Sequence, residues 1–141
     1  MPQPVLLTYH VPAKRAAKLR VIAMRMGVRV KAVEKWEYLN PIGSFTGDCG
    51  SFESFYDGEG FSEEMLVMAH FPQSVFSRFL QELRTARLLF PLKCVLTDTN
   101  KGWSTMELYE QLCAERDAAH GVRGERFSPF FFARQRKSRW R

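Results

Sequence analysis

A nearly continuous apolar run, EMLVMA at residues 64 to 69, constrains the fold of this chain more than any other feature. Successive residues of a β-strand point to opposite faces of a sheet, so a strand that is apolar at almost every position must be covered on both faces. Such a strand lies in the middle of a sheet, with a layer packed on each side. The run therefore predicts an α/β domain of three layers with residues 64 to 69 as a central strand.

Strand and helix patterns alternate on either side of this run, and they predict four strands and three helices. Pro12 and Pro72 each suit the first turn of a helix, and each precedes an apolar stripe at helical spacing. Ser104 and Glu107 have the S-x-x-E spacing of a capping box, which marks the start of the third helix. No internal repeat is evident. The predicted strands cover residues 5 to 10, 28 to 33, 64 to 69 and 92 to 97.

Two sheet topologies fit this order of elements, and they differ in the path of the long segment at residues 36 to 62. If this segment crosses over the sheet, the four strands are parallel in the order 2-1-3-4, with helices on both faces. If it turns back, the second and third strands form a hairpin in a ferredoxin-like α+β sheet. The apolar run favours the first topology. We therefore predict a single three-layer α/β domain with a mainly parallel sheet of four strands and three helices, and we keep the ferredoxin-like fold as the alternative.

Length and charge divide the chain into a domain and a tail. With 141 residues, of which 45% are hydrophobic, the chain has the size and composition of one globular domain. Residues 121 to 141 carry seven Arg or Lys against Glu125, so the formal net charge of +6 resides in this segment. We predict a domain at residues 1 to 120, with an acidic, glycine-rich loop at residues 36 to 62, followed by a basic aromatic tail at residues 121 to 141.

Several classes of function lack their motifs in this sequence. Three cysteines without CxxC or Cys/His spacing imply neither a disulfide framework nor a zinc site. The glycines of the acidic loop lack the order of a phosphate-binding loop. We therefore expect no metal and no cofactor, and the missing motifs argue against an enzyme. No apolar run has the length of a membrane span or the form of a signal peptide, which predicts a cytoplasmic protein.

The parallel topology predicts one candidate ligand site, at the carboxyl ends of the strands. There His10 and His70 would face one crevice, together with Asp98, Thr99 and Asn100 from the loop after the fourth strand. Imidazole, carboxylate and short polar groups could bind an anion, a metal or a proton in transit. In the ferredoxin-like sheet the two histidines would lie at opposite ends. Because strand-end histidines also serve packing and Asp-Thr-Asn also forms turns, a structural role is the other hypothesis.

The tail combines positive charge with aromatic rings. Its arginines alternate with phenylalanines and a tryptophan, which suits the phosphates and bases of single-stranded nucleic acid, and also an anionic membrane or an acidic protein. The rings could instead dock on the domain itself, or the arginines could pair with the acidic residues 48 to 64. The predicted contact residues are Arg123, Arg126, Arg134, Arg136, Lys137, Arg139, Trp140 and Arg141.

The stretch PLKCVLTDTNKGW at residues 91 to 103 is the most specific motif of the chain. With its flanks, at about residues 63 to 117, it resembles the small uncharacterised bacterial family named domain of unknown function 3783. The family signature has alanine and proline where Cys94 and Asp98 stand here. The resemblance implies a strand, loop and helix unit, and it implies no substrate, cofactor or catalytic residue.

These patterns favour a non-catalytic binding or regulatory domain whose basic tail contacts nucleic acid or an acidic partner. The alternative is a small-ligand-binding domain, or a minor enzyme, with its site at the carboxyl ends of the strands. A third hypothesis gives Trp103 a purely structural role as a core anchor beside the capping box.

Overall fold

The fold is known from a computed structural model, which describes residues 3 to 51 and 55 to 123, with side chains through residue 118. Within these residues, four strands form one sheet, and three α-helices and two short 3-10 turns pack against it. In chain order the elements are β1 (Val5–Tyr9), α1 (Ala13–Arg25), β2 (Arg29–Ala32), the turns Lys35–Glu37 and Ile42–Phe45, β3 (Met65–Ala69), α2 (Gln73–Thr85), β4 (Leu92–Val95) and α3 (Thr105–Arg123).

The sheet has the predicted strand order, β2-β1-β3-β4, and β1 with β2 and β3 with β4 are parallel pairs. The prediction of a mainly parallel α/β sheet with three helices is therefore confirmed. The central pairing of β1 with β3 is antiparallel, so the expectation that the first and third strands run in the same direction is wrong. The ferredoxin-like hairpin is not formed either, because β2 and β3 are not neighbours in the described sheet.

The path of residues 33 to 64 explains the direction of β3. β1 and β2 end at the same end of the sheet, and the antiparallel β3 begins at that end. The segment can therefore fold over one face of the sheet and return, without crossing to the other side. On its way the segment reaches the opposite end of the strands, where the Ile42 amide donates a hydrogen bond to the Trp103 carbonyl at 2.8 Å.

The two halves of the sheet are similar β-α-β units. The bounds of β1 and α1 recur 60 residues later as the bounds of β3 and α2. His10 and His70 directly follow the two central strands and have φ of 61° and 62°, a left-handed conformation in which histidine is enriched. Leu7 pairs with Val67, its counterpart in the other unit, so an approximate two-fold axis passes between them through the centre of the sheet.

The antiparallel centre places α1 and α2 on the same face of the sheet. The two β-α-β connections are right-handed, start from antiparallel strands and run toward opposite edges of the sheet, so both helices pack on one face. On that face Leu6 and Met68 share a core with Phe79 of α2. α3 and the described residues 33 to 51 and 55 to 63 cover the opposite face, where Leu7 shares a second core with Leu108. The sheet is thus the middle layer of three.

Two local predictions are confirmed in detail. Every residue of Met65–Ala69 has a relative exposure of 0%, as expected of a strand covered on both faces. The capping box closes α3, because the Glu107 carboxylate accepts a hydrogen bond from the Ser104 amide at 2.8 Å and the Ser104 hydroxyl accepts one from the Glu107 amide at 3.2 Å. Beside it, the partly buried Trp103 packs against the core beneath α3. None of the described helices combines the length and apolarity that a membrane crossing requires.

Phe79→Ala should lower the free energy of unfolding by about 3 to 5 kcal/mol, because it removes a fully buried ring between α2 and the sheet. Met24→Ala is the matched control, since the Met24 side chain is 69% exposed on α1 and its loss should cost within about 0.5 kcal/mol. Urea denaturation followed by circular dichroism measures both values. Equal losses in the two variants would contradict the burial of α2 against the sheet.

Candidate functional site

The two predicted histidines lie at opposite ends of the central strands. His10 follows the last residue of β1 and His70 follows the last residue of β3, and these strands are antiparallel. The prediction that both imidazoles face one crevice is therefore wrong. Because β3 and β4 are parallel, His70 lies at the same end of the strands as the loop at residues 98 to 100.

His10 belongs to a group of aromatic rings. Its Nε2 is hydrogen bonded to the Tyr38 hydroxyl at 2.9 Å, and its ring meets Phe61 edge-on with centroids 4.8 Å apart. Burial against these neighbours lowers the pKa of His10. An imidazole in this position is held by packing and by a neutral hydrogen bond, which agrees with the structural hypothesis for this residue.

The same rings fasten the long segment to the body of the protein. Phe61 stacks on Tyr109 of α3 with centroids 4.2 Å apart, and on Tyr38 at 5.4 Å. Next to this stack, Glu63 accepts hydrogen bonds from Tyr109 at 3.0 Å and from Arg116 at 2.7 Å. The Arg116 hydrogen bond is the main reason that the pKa of Glu63 lies below its ordinary value. We conclude that the aromatic cluster is an anchor for residues 56 to 63.

His70 is paired with a carboxylate that sequence reasoning did not select. Its Nε2 lies 2.7 Å from Oδ1 of Asp48, and the same oxygen accepts a hydrogen bond from the Thr46 hydroxyl at 2.5 Å. Partial burial alone would raise the pKa of Asp48, but the hydrogen bonds from Thr46 and His70, together with the charge of Lys101, lower it below the ordinary value. Asp48 could not be found from sequence because 22 residues and a change of layer separate it from His70.

The loop after β4 uses its polar groups to hold its own shape. Asn100 is completely buried. Its side-chain oxygen accepts a hydrogen bond from the Thr97 amide at 2.8 Å, and its side-chain nitrogen donates to the Val95 carbonyl at 3.1 Å. The Asp98 side chain is 99% exposed and pairs with Lys101 at 3.3 Å, while Thr99 is exposed. The structure therefore brings His70 and Asp98 to the same end of the strands, where His70 pairs with Asp48 and Asp98 pairs with Lys101. Asn100 has a structural role.

These groups do not form a metal centre. Among the residues that the structure describes, no three His, Cys, Asp or Glu side chains are arranged to hold a metal ion. Burial raises the pKa of the Cys94 thiol in the core, which keeps that sulfur protonated and unreactive. The polar groups at this end of the strands are therefore one hydrogen-bonded pair, His70 and Asp48, beside Lys101.

The charged side chains are divided between the two outer layers. α1 has five basic residues and no acidic one, and α2 has two basic residues and one acidic residue. On the other side of the sheet, the described residues 33 to 51 and 55 to 63 hold six acidic residues and one basic residue, and residues 97 to 118 hold five acidic and two basic. We define the basic face by five exposed residues of the α1 and α2 layer: Lys14, Lys18, Arg20, Arg25 and Arg78.

The predicted tail contacts fall almost entirely outside the described residues. Arg123 is the last residue of α3, which extends three residues past the predicted domain end at residue 120. The other predicted contact residues, Arg126, Arg134, Arg136, Lys137, Arg139, Trp140 and Arg141, lie beyond residue 123.

The fold and its surfaces define a class of protein: a small three-layer α/β domain made of two related β-α-β units with one basic and one acidic outer layer. Residues 64 to 118 match the family model described as Domain of unknown function (DUF3783). This match confirms the predicted resemblance, and it covers about two fifths of the chain, from β3 into α3. No curated protein and no solved structure matches the chain.

Asp48→Asn should lower the free energy of unfolding at neutral pH by about 1 kcal/mol, because it weakens a charge-assisted hydrogen bond at a partly solvated site. The pKa of Asp48 is lowered in the folded protein, so its contribution is complete above the ordinary value of 3.8 and is lost as the pH falls through the folded value. The difference between parent and variant should therefore shrink below about pH 4.

Urea unfolding of both proteins from neutral to acidic pH measures this difference. Asp98→Asn is the control, since a carboxylate that is 99% exposed should change stability little at any pH. A difference between the parent and Asp48→Asn that stays constant down to pH 2 would contradict the interpretation.

Proposed function

We propose that this protein is a non-catalytic binding domain that holds the phosphate backbone of a nucleic acid against its basic face. The basic tail at residues 121 to 141 supplies a second contact in this proposal. The observation that carries it is the separation of charge between the outer layers, because a helical layer with many cations and few anions creates a positive potential over one side of the molecule.

Four of the five cations of the basic face are available to a partner. Two arginines of α1 are already paired, Arg15 with Glu64 at 2.9 Å and Arg25 with Glu82 at a looser 3.8 Å. Among the described residues, no ion pair holds the other four members of the basic face, which are Lys14, Lys18, Arg20 and Arg78. Each helix of 13 residues is about 20 Å long, so the layer is long enough to meet several successive phosphates.

The face favours phosphate contacts over base contacts. The large apolar side chains that α1 exposes are Val21 and Met24, at 52% and 69%, and neither is aromatic. Reading single-stranded bases depends on stacking against aromatic rings, whereas a row of Lys and Arg contacts the backbone without regard to sequence. In this proposal, base stacking falls to the aromatic rings of the tail, and the α1 and α2 layer supplies affinity.

The acidic layer supports the same orientation. The described residues 33 to 51 and 55 to 63, together with α3, place carboxylates on the side of the sheet opposite to the basic face, where they repel a polyanion. A nucleic acid would therefore approach the domain from one side. A cytoplasmic location, expected from the sequence, belongs to the same proposal.

Fluorescence anisotropy of a labelled 20-base-pair RNA duplex, titrated with the full chain, tests the proposal directly. If about four cations of the basic face contact phosphates, raising the salt from about 50 to about 200 mM should weaken binding about 100-fold. No detectable binding, or affinity that does not change with salt, would contradict the proposal.

Paired substitutions decide which surface binds. The double variant Lys18→Ala and Arg78→Ala should reduce the slope of log affinity against log salt by about 1.8, and Lys35→Ala, an exposed lysine on the acidic side, should leave it unchanged. If the double variant binds as the parent does while a full-length variant with Arg134, Arg136 and Arg139 changed to Gln loses binding, the tail and not the basic face is the binding surface.

A further inference from the structure

Lys93 is a lysine whose side chain enters the protein. It lies on the edge strand β4, opposite Leu66 of β3, and faces the α2 side of the sheet. There it lines a small cavity of about 70 Å³. The walls of this cavity are the apolar side chains Leu80, Leu83, Leu88 and Leu89, with the guanidinium-bearing Arg84 at its rim.

The surroundings of Lys93 favour the neutral amine. Burial, and second the positive charge of Arg84, lower the pKa of Lys93 to about 8. At pH 8 about half of the Lys93 amines are then neutral, compared with less than about 1% for an ordinary lysine. The Nζ atom donates a hydrogen bond to the Phe90 carbonyl at 3.3 Å, which fixes its position at the cavity. A neutral, positioned amine in an apolar pocket beside a second cation has the features of a nucleophilic lysine.

The charged groups that the described residues place around the cavity indicate what could bind there. Arg84 reaches it from α2, where its Nη1 also donates to Gln81 at 3.2 Å. Arg15 of α1 donates to the carbonyl of the neighbouring Leu89, but Glu64 neutralises it in a two-contact ion pair. Arg84 is thus positioned to bind a carboxylate at the rim of the cavity, while the leucines contact an apolar group of the ligand. A cavity of about 70 Å³ holds a group of a few heavy atoms.

We propose that Lys93 binds small 2-oxo acids covalently and reversibly as a Schiff base, with Arg84 pairing with the carboxylate of the ligand. The lone pair of Nζ forms a bond to the carbonyl carbon, and the resulting carbinolamine loses water. Both hydrogens of the neutral amine leave with the former carbonyl oxygen, so nothing is oxidised or reduced and no co-reactant is needed. Neither Lys93 nor Arg84 is among the five residues that define the basic face, so variants at the two sites test the two proposals separately.

Reductive trapping of the full-length protein tests this site. Incubation with pyruvate and sodium cyanoborohydride at pH 8, followed by intact mass spectrometry and peptide mapping, should give one stable adduct per chain, located at Lys93. The rate of adduct formation should rise between pH 7 and 9 with a midpoint near 8. Adducts spread evenly over the surface lysines would overturn the proposal.

Two variants separate the roles of the amine and the guanidinium. Lys93→Arg keeps the positive charge and should abolish the mapped adduct, while Lys35→Arg should leave it unchanged. Arg84→Gln should slow trapping of pyruvate at least several-fold more than trapping of propanal, which has no carboxylate and should be slowed only by the accompanying rise in the pKa of Lys93. If Arg84→Gln slowed the trapping of both carbonyl compounds equally, Arg84 would not bind the carboxylate of the ligand.

A measurement on the unaltered protein guards against a variant that fails to fold. Competitive labelling with a limiting amount of acetic anhydride at pH 8 should modify Lys93 faster than the exposed Lys14 and Lys35, because more of its amine is neutral. Slower labelling of Lys93 than of these two lysines would show that its amine is not accessible, and it would overturn the proposal whatever the variants do.

Discussion

Five residue pairs join β1 to β3 in antiparallel register, from Val5 opposite Ala69 to Tyr9 opposite Met65. Every residue in these pairs is buried, so the pairing lies where the two cores meet, and a slip by one residue would move the side chains that fill one core into the other. Each central strand then carries its own helix and its own parallel partner outward. The direction of one pairing therefore sets the positions of both histidines, both long helices and both edge strands.

The distribution of charge follows from the same pairing. An all-parallel sheet of this order would have placed α1 and α2 on opposite faces, and their basic residues would have been shared between two layers. With an antiparallel centre, both helices lie on one face, and the acidic segment that joins the units must cover the other. A chain whose cations and anions are separated along the sequence thus becomes a domain whose cations and anions are separated in space.

Patterns of side-chain type predicted the elements well and their directions poorly. The apolar residues 64 to 69 identified a central strand, and Ser104 with Glu107 identified the start of α3, because burial and capping are local properties. The direction of β3 depends instead on how residues 33 to 64 fold, and that segment has weak periodicity. Asp48 was missed for the same reason. Lys93 belongs to the motif at residues 91 to 103, but its significance comes from the leucines of α2 and of the loop after it, which no local pattern connects to it.

The two-unit architecture also bears on the domain family. The matched residues 64 to 118 begin at β3, so they exclude the strand that pairs with it at the centre of the sheet. Without β1, β3 would present a fully apolar strand as an open edge, which invites association with another strand. In this chain residues 5 to 32 supply that strand from a second β-α-β unit of the same design. The matched segment is therefore one half of a symmetric sheet, and its stability in this protein depends on the half that precedes it.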